Sequence, residues 1–273
     1  MSADDRGHAR RFATACVLLV VFLFPLFWMF TVAIKQPEDI FSSPPVWFPS
    51  SINFRDLQAL FTEGHVRSIG NSFIIAFFST VIAMTLGTTA AYSLARYRTG
   101  GEALANWILS WRMLPPIAVV FPIFLLYAFF GIRDSYLGMI VLYAAFNLPY
   151  VVWMMRGYIE DIPLELEESS LVDGCSRWQM LVRVVFPMAR TGLFATSVFT
   201  FIFAWNEFAF AFVLTETEVI TVPVQLAKFM GREATYFSRI ASLSILAMLP
   251  IFIAVAMLQR YLVRGISLGA IKG

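Results

Sequence analysis

Six apolar runs, at roughly 13–34, 72–94, 104–130, 136–156, 192–214 and 238–261, each reach the ~20 residues that carry a helix across bilayer hydrocarbon. In lipid each backbone N–H and C=O must find a partner inside the structure, so isolated runs of this length predict helices, not open strands. The chain reads as an all-α membrane protein with six transmembrane helices. Its composition agrees: only 14% of residues are charged and 59% are apolar, where a soluble chain carries about a quarter charged. The expected organisation is a tail over 1–12, a membrane domain over 13–261 and a second tail over 262–273. The third run is interrupted by Arg112 and by prolines, so its limits are the least defined. The first run is too long for a signal-peptide core and lacks a clear small-residue cleavage site, so it is expected to be retained.

Six spans put both termini on one side. That side would hold Arg6, Arg10, Arg11, Arg96, Arg98, Arg156, Arg177, Arg183, Arg190, Arg260, Arg264 and Lys272. The other would hold Lys35, Arg55, Arg67, Arg133, Lys228, Arg232 and Arg239, spread over longer loops. The basic bias of cytoplasmic loops then predicts cytoplasmic termini and a cytoplasmic 157–190 loop. The net charge of +2 is accounted for by this topology and gives no indication of nucleic acid. Cys16 falls in the first span and Cys175 in the 157–190 loop, so no disulfide is expected between them.

The 157–190 loop contains PLELEESSLVDGCSRWQMLVRVVFP, Pro163 to Pro187, the most polar structured stretch of the chain. Pro163 suits the first turn of a helix, where its missing N–H costs nothing. Glu165, Glu167 and Glu168 follow, near the positive end of the helix dipole. Gly174 suits the left-handed geometry that ends a helix. Ser176 with Gln179 has the spacing of a capping box. Met180, Val184 and Met188 are expected on one face of the second helix, and Pro187 is expected to end or kink it. A short helix tied at both ends to membrane spans can act as a lever, whereas an ordinary solvated loop with good caps has no such use.

Two further loops, 35–71 and 215–237, are long enough to dock a partner or simply to be solvated. The first carries the proline-rich SSPPVWFPSS, Ser42 to Ser51, which excludes regular helix. Asn53 is placed to cap a short helix ending near Gly64. The second carries Thr215, Glu216, Glu218, Val222 and Pro223, then a helix to Met230.

Polar groups inside the spans are functional candidates because their burial in lipid is costly. Asn206 and Glu207 lie in FAWNEFAF; at ~1.5 Å per residue Glu207 sits roughly 22 Å along its helix, and Arg112 about 12 Å along its own. A direct ion pair between them is not expected. Glu207 either faces a water-filled pathway or makes a structural bond between helices. Arg112 either snorkels or braces the Pro115–Pro116 kink. Asn147, Tyr150 and Trp205, with Tyr143 and several of the 28 Phe, are candidates for an aromatic lining against the C–H faces of a sugar, or are ordinary packing contacts.

The phosphate-loop pattern Gly-x-x-x-x-Gly-Lys-Ser/Thr does not occur, so no ATP hydrolysis by this chain alone is expected. His8 and His65 fall on opposite sides, and neither a metal-binding cluster nor a nucleophile motif is legible. No inverted repeat of the secondary-transporter kind is evident.

The central loop resembles that of permease subunits in ATP-binding-cassette importers. Their pattern is Glu-Ala-Ala, three residues, Gly, nine residues, an aliphatic residue, any residue, Leu, Pro. Here it reads Glu168, Ser169, Ser170, Gly174, Val184, Phe186 and Pro187. The spacing matches throughout, with two Ala replaced by Ser and Leu by Phe. Further stretches are similar to the smaller permease subunit of carbohydrate importers of the maltose-transporter type: AIKQPEDIF and the following PP (33–45), NSFIIA (71–76), RMLPP (112–116), FNLPYVVWMMRG (146–157), IPLELEESSLVDG (162–174), FAWNEF (203–208) and QRYLVRGISLGAIKG (259–273).

This resemblance implies a type I importer fold in a bacterial or archaeal inner membrane. It implies a pore-forming subunit, not an enzyme, with a second permease, two copies of an ATP-binding subunit and an extracytoplasmic solute-binding protein as partners. No cofactor would be bound by this chain; ATP and Mg would sit on the ATPase subunits. Glu167, Glu168, Ser169, Ser170, Leu171, Asp173, Gly174 and Pro187 would couple ATPase closure to alternating access. Asn147, Tyr150, Trp205, Asn206 and Glu207 would be pathway candidates for an oligosaccharide, monosaccharide, polyol or glycerol phosphate. The rival from another class is an ATP-independent carrier or channel using Glu207, which leaves the helix–Gly–helix loop unexplained. A membrane-embedded enzyme subunit would lack any visible nucleophile or metal cluster.

Overall fold

The computed structural model describes residues 3–230 and 236–269, and among these the side chains of all but 3–7, 9 and 260–269. Arg232 and Lys272 lie outside the described residues, as do the side chains of Arg6, Arg260 and Arg264 and the end of the C-terminal tail. The helices in chain order are α1 (Ala3–Ile34), α2 (Pro37–Ile40), α3 (Arg55–Thr62), α4 (Arg67–Tyr97), α5 (Gly101–Ser110), α6 (Pro116–Phe130), α7 (Tyr136–Glu160), α8 (Leu164–Val172), α9 (Arg177–Met180), α10 (Phe186–Met188), α11 (Arg190–Trp205), α12 (Ala209–Leu214), α13 (Val222–Met230) and α14 (Phe237–Gly269). A 3₁₀ turn, Trp111–Met113, follows α5, and a π-helical segment, Leu181–Val185, follows α9.

Among the described residues, four helices are long and apolar enough to cross a membrane: Arg10–Ile34, Arg67–Tyr97, Tyr136–Glu160 and Phe237–Gln259. The third run of the sequence is not one continuous helix. It bends by 89° between Gly101–Met113 and Pro116–Phe130. A residue before proline is pushed out of the helical region, and Pro115–Pro116 applies this twice: Leu114 takes ψ 118° and Pro115 ψ 131°. Two prolines in tandem therefore break the span where one would kink it. The fifth run is broken as well, at Asn206–Phe208 between α11 and α12. A second bend, of 78°, separates Arg177–Met188 from Arg190–Trp205. Counting each bent pair as one span gives up to six.

Backbone contacts divide the chain into two compact units. The first is Met1–Arg67 with Gln225–Met248. Within it the proline-rich stretch is pinned by Asp39, whose carboxylate accepts from the backbone N–H of Ser50 at 2.9 Å and from its hydroxyl at 2.7 Å. Those bonds hold the Asp39 carboxyl below its usual range. Lys35 is buried with its ammonium 4.0 Å over the Trp28 ring, and burial lowers its pKa against the opposing pull of Asp39. The cap residue of α3 is Phe54, not Asn53; from one position before it, Asn53 Oδ1 accepts from Arg55 N at 2.9 Å, and Gly64 follows the far end at φ +77°. Asp56 accepts from Ser238 and from Arg239, and Arg239 also reaches Glu63 at 2.8 Å.

The second unit is Ser68–Val224 with Leu249–Gly273. Its core joins α4, α7 and the segment after α8: Ala83, Ala91, Val151, Met155, Ile159, Met180, Leu181, Val185 and Ala189 pack together. Two glycines let helices approach closely. A Cβ on Gly87 would lie 2.6 Å from Val151, and one on Gly192 would lie 2.2 Å from the Tyr158 ring. Away from this core, Asp134 ties the α6–α7 turn to the chain at 217–219 by accepting three backbone N–H groups at 2.9–3.1 Å. Arg133 pairs with Glu216 beside it. Asn71 donates to the carbonyls of Glu218 and Ile220, and Ser72 accepts from Val222 N.

Candidate functional site

The segment 163–189 folds as a helix, a turn, and a second helix that continues into α11. Pro163 precedes the first helical residue, one position earlier than its sequence reading as a first-turn residue, and α8 begins at Leu164. Gly174 takes φ +87°, the left-handed region that favours glycine. The capping box forms: Ser176 Oγ accepts from Gln179 N at 3.3 Å and Gln179 Oε1 accepts from Ser176 N at 2.9 Å.

The face beyond the cap differs from expectation. Met180 is buried, but Val184 is half-buried and Met188 exposed; the inner line is Met180, Leu181, Val185 and Ala189. The π segment explains the shift, because an extra residue per turn rotates everything after it. Pro187 has no N–H to continue the ladder, and the 78° bend follows it.

The acidic residues of α8 divide between two environments. Glu168 is exposed, as are Ser169, Leu171, Asp173 and Gly174. Glu167 and Ser170 point inward and are buried. Glu167 accepts from Arg96 Nε at 2.6 Å and from the Tyr92 hydroxyl at 2.8 Å, both on α4. Arg96 also donates through Nη2 to the carbonyls of Ile159 at 2.8 Å and Ile162 at 2.7 Å, at the end of α7. Ile159 lies in the last turn of α7, where its carbonyl also accepts from Ile162 N at 3.1 Å, and Ile162 follows just after the helix. Arg177 of α9 lies 5.5 Å over Tyr97, which meets Tyr92 edge-on. In the sequence Arg96 reads only as a topological charge and Tyr92 carries no signal, because no pattern links positions 71 residues apart.

Outward from this anchored face, α8 and α9 present apolar side chains: Val172 is 88% exposed and Trp178 is 65% exposed.

Among the pathway candidates, Asn147 and Glu207 both bond to Tyr143. Asn147 is buried and donates to Tyr143 O, one turn back in its own helix, at 3.0 Å. Asn206 is exposed and likewise donates to Ile202 O at 2.8 Å. Trp205 is buried against Phe201. Glu207 lies in the break after α11, where it caps α12: its carboxylate accepts from Phe210 N at 3.0 Å and Ala211 N at 3.2 Å. It also accepts from the Tyr143 hydroxyl at 2.7 Å. The structural alternative for Glu207 is the one the geometry matches. Tyr150 meets Phe203 edge-on at 5.0 Å, and the Arg112 guanidinium sits 4.8 Å over Phe203 while Nη1 donates to Phe146 O at 3.4 Å. Arg112 thus bridges the 3₁₀ turn to α7 and α11.

A cavity of about 780 Å³ runs between α4, α11 and the second half of α14, lined by Phe77, Thr80, Met84, Phe194, Ser197 and Ala254 among others. The Thr80 hydroxyl on it is buried without a partner.

A family model described as binding-protein-dependent transport system inner membrane component matches residues 83–268. The chain is 34% identical over 264 residues, covering 95% of each sequence, to the diacetylchitobiose uptake system permease protein DasC of Streptomyces coelicolor. It is 33% identical over 262 residues, 92% of this chain and 93% of the relative, to the trehalose transport system permease protein SugB of Mycobacterium tuberculosis. In fold it is similar to a chain of a bacterial ABC transporter involved in the import of the acidic polysaccharide alginate, with a TM-score of 0.77, 23% identity, and coverage of 96% of this chain and 98% of that one.

Proposed function

The chain belongs to the family of binding-protein-dependent transport system inner membrane components, and from that footing we propose that it is one permease of an ATP-driven importer of a sugar, polyol or related carbohydrate. It is a multi-pass inner-membrane permease. In this proposal it crosses the membrane six times with cytoplasmic termini, pairs with a second permease, and sits on two ATP-hydrolysing subunits that hold ATP and Mg. An extracytoplasmic binding protein delivers the substrate. No bond of the substrate is made or broken by this chain; its work is to change which side of the membrane its path opens to.

The observation that carries the proposal is the α8–Gly174–α9 element. It is a capped helix pair whose inner face is buried and whose outer face carries Val172 and Trp178. Large apolar groups on a polar, helix-terminated segment favour a protein partner. Glu168, Ser169, Leu171 and Asp173 share that accessible surface, while Glu167 and Ser170 brace it from within. Carbohydrate as the cargo rests on the relatives, which are named for diacetylchitobiose and trehalose.

The carrier alternative required a titratable Glu207 in a pathway. Its carboxylate is taken up by Tyr143 and two backbone N–H groups, which weighs against that use.

The test is uptake. Proteoliposomes holding the complex purified through this chain, supplied with its binding protein and radiolabelled trehalose, diacetylchitobiose and glycerol, should accumulate at least one of them only with internal Mg-ATP. Accumulation driven by a proton gradient without ATP would overturn the proposal.

A further inference from the structure

Arg96 and Glu167 form a buried junction at which three helices end or begin. The Arg96 side chain is 11% exposed and that of Glu167 4%. Arg96 contacts Glu167 on α8, the carbonyl of Ile159 in the last turn of α7 and that of Ile162 between α7 and α8, while itself belonging to α4. Tyr92, one turn earlier on α4, gives the second bond to the same carboxylate. Both Glu167 oxygens are thus engaged from α4, and one Arg96 nitrogen is engaged with α7.

An ion pair of this kind contributes little to folding, because desolvation offsets much of the attraction. Its geometry is directional, however. A planar guanidinium fixes its acceptors in one relative arrangement, which a lone ammonium cannot do. Around it the packing is continuous: Ala91 and Tyr92 of α4, Met155 and Ile159 of α7, and Met180 and Leu181 beyond α8 share one core. Arg177 over Tyr97 adds a contact from α9 to α4. Close-packed interiors transmit displacement instead of absorbing it.

We propose that Arg96, acting through Glu167, is a positioning residue that makes α8 move as one body with the adjoining ends of α4 and α7. This rests on the importer proposal above, with the ATPase as the partner that acts on the exposed face of α8. A push on the exposed Val172 face then reaches α4 and α7 directly, and need not travel through the chain from α9 into α11. Glu167, Arg96 and Tyr92 make the junction; Glu168, one residue on, faces the partner.

The experiment measures distance and coupling together. In a background with Cys16→Ser and Cys175→Ala, spin labels are placed at Val172→Cys on α8 and Leu86→Cys on α4, both at exposed positions. The assembled complex is examined without nucleotide and trapped with Mg-ATP and vanadate. The expected result is a single narrow label distance that is the same in both states. Glu167→Gln and Arg96→Gln should broaden it and release ATP hydrolysis from control by the binding protein, with the ATPase still co-purifying. Arg96→Lys keeps the charge and should recover part of the control, and Tyr92→Phe should weaken it less than Glu167→Gln.

A native distance that changes on trapping would overturn the proposal. So would Glu167→Gln with native distance and native control, or variants that only lower the yield of folded chain while each assembled complex works normally. Failure of the importer proposal looks different: no ATPase co-purifies with the native chain, and nucleotide leaves it unchanged.

Discussion

The Tyr143 hydroxyl donates to the Glu207 carboxylate at 2.7 Å, across the point where α11 ends and α12 has yet to begin. The same carboxylate caps α12 through Phe210 N and Ala211 N. An acid in the apolar FAWNEFAF stretch is thereby explained by the helix break it repairs.

Glu207→Gln should consequently act on stability first. An amide has one acceptor oxygen where the carboxylate has two, so at least one backbone N–H of α12 loses its partner, at a cost of about 1–3 kcal/mol. Thermal unfolding of the detergent-purified chain should shift down, and uptake should still need ATP with no new dependence on pH. An undiminished melting temperature would remove the capping role.

Gly192 touches the flat of the Tyr158 ring, with no room for a Cβ, which would lie 2.2 Å from the ring. Gly192→Ala should force α7 and α11 apart and lower stability by about 1–3 kcal/mol, the usual cost of overpacking. Combining it with Tyr158→Ala should restore part of that loss, and a double-mutant cycle on melting temperature measures the recovery. Additive losses would mean that the two residues are not in contact.

Gly174 is the opposite case. Nothing lies within 4 Å of where its Cβ would be, so only its φ of +87° resists substitution. Gly174→Val should insert normally yet lose ATP-driven uptake, whereas Gly174→Asn should keep much of it, since Asn tolerates left-handed geometry better. Equal activity of the Val and Asn variants, at equal expression, would show that the turn is not held in this shape.

Asp134 makes a pH test possible outside the membrane segments. Burial raises its carboxyl, but the backbone N–H groups of Glu218, Thr217, Glu216 and Val219 outweigh this and hold it at about 2, against an ordinary 3.8. The folded pKa is depressed, so the stabilisation is complete above the ordinary value and is lost as pH falls towards about 2. Discounted for solvent screening, it amounts to roughly 1 kcal/mol. Protease cleavage within 215–221 should rise between those pH values in the native chain. In Asp134→Asn it should already be high at neutral pH and flat with acidification; a native-like pH profile in that variant would contradict the assignment.

Much of this was legible locally. The capping box, the left-handed Gly174 and the helices around 72–94 and 136–156 follow from near-neighbour chemistry, and the structure has them. The break at Leu114–Pro115 was half-legible: both prolines were noted, but tandem prolines push two successive residues out of the helix. The π segment was not legible, and it moved the buried face from Val184 and Met188 to Val185 and Ala189. The Arg96–Glu167 and Asp134–Glu218 pairings join residues 71 and 84 positions apart, and no periodicity encodes such a meeting. Glu207 was singled out as an acid in a span, but its role depended on a helix end that apolar run length conceals.

The central claim is that an ATPase docks on the exposed face of α8 and α9. The most direct measurement places a photo-crosslinking amino acid at Val172, which is 88% exposed, and at Trp178 in the full complex, with Phe48 of the 35–71 loop as a control. The account predicts covalent adducts to an ATP-hydrolysing subunit from Val172 and Trp178 and none from Phe48. Adducts to lipid alone at Val172 and Trp178, in membranes where the chain still supports uptake, would contradict it.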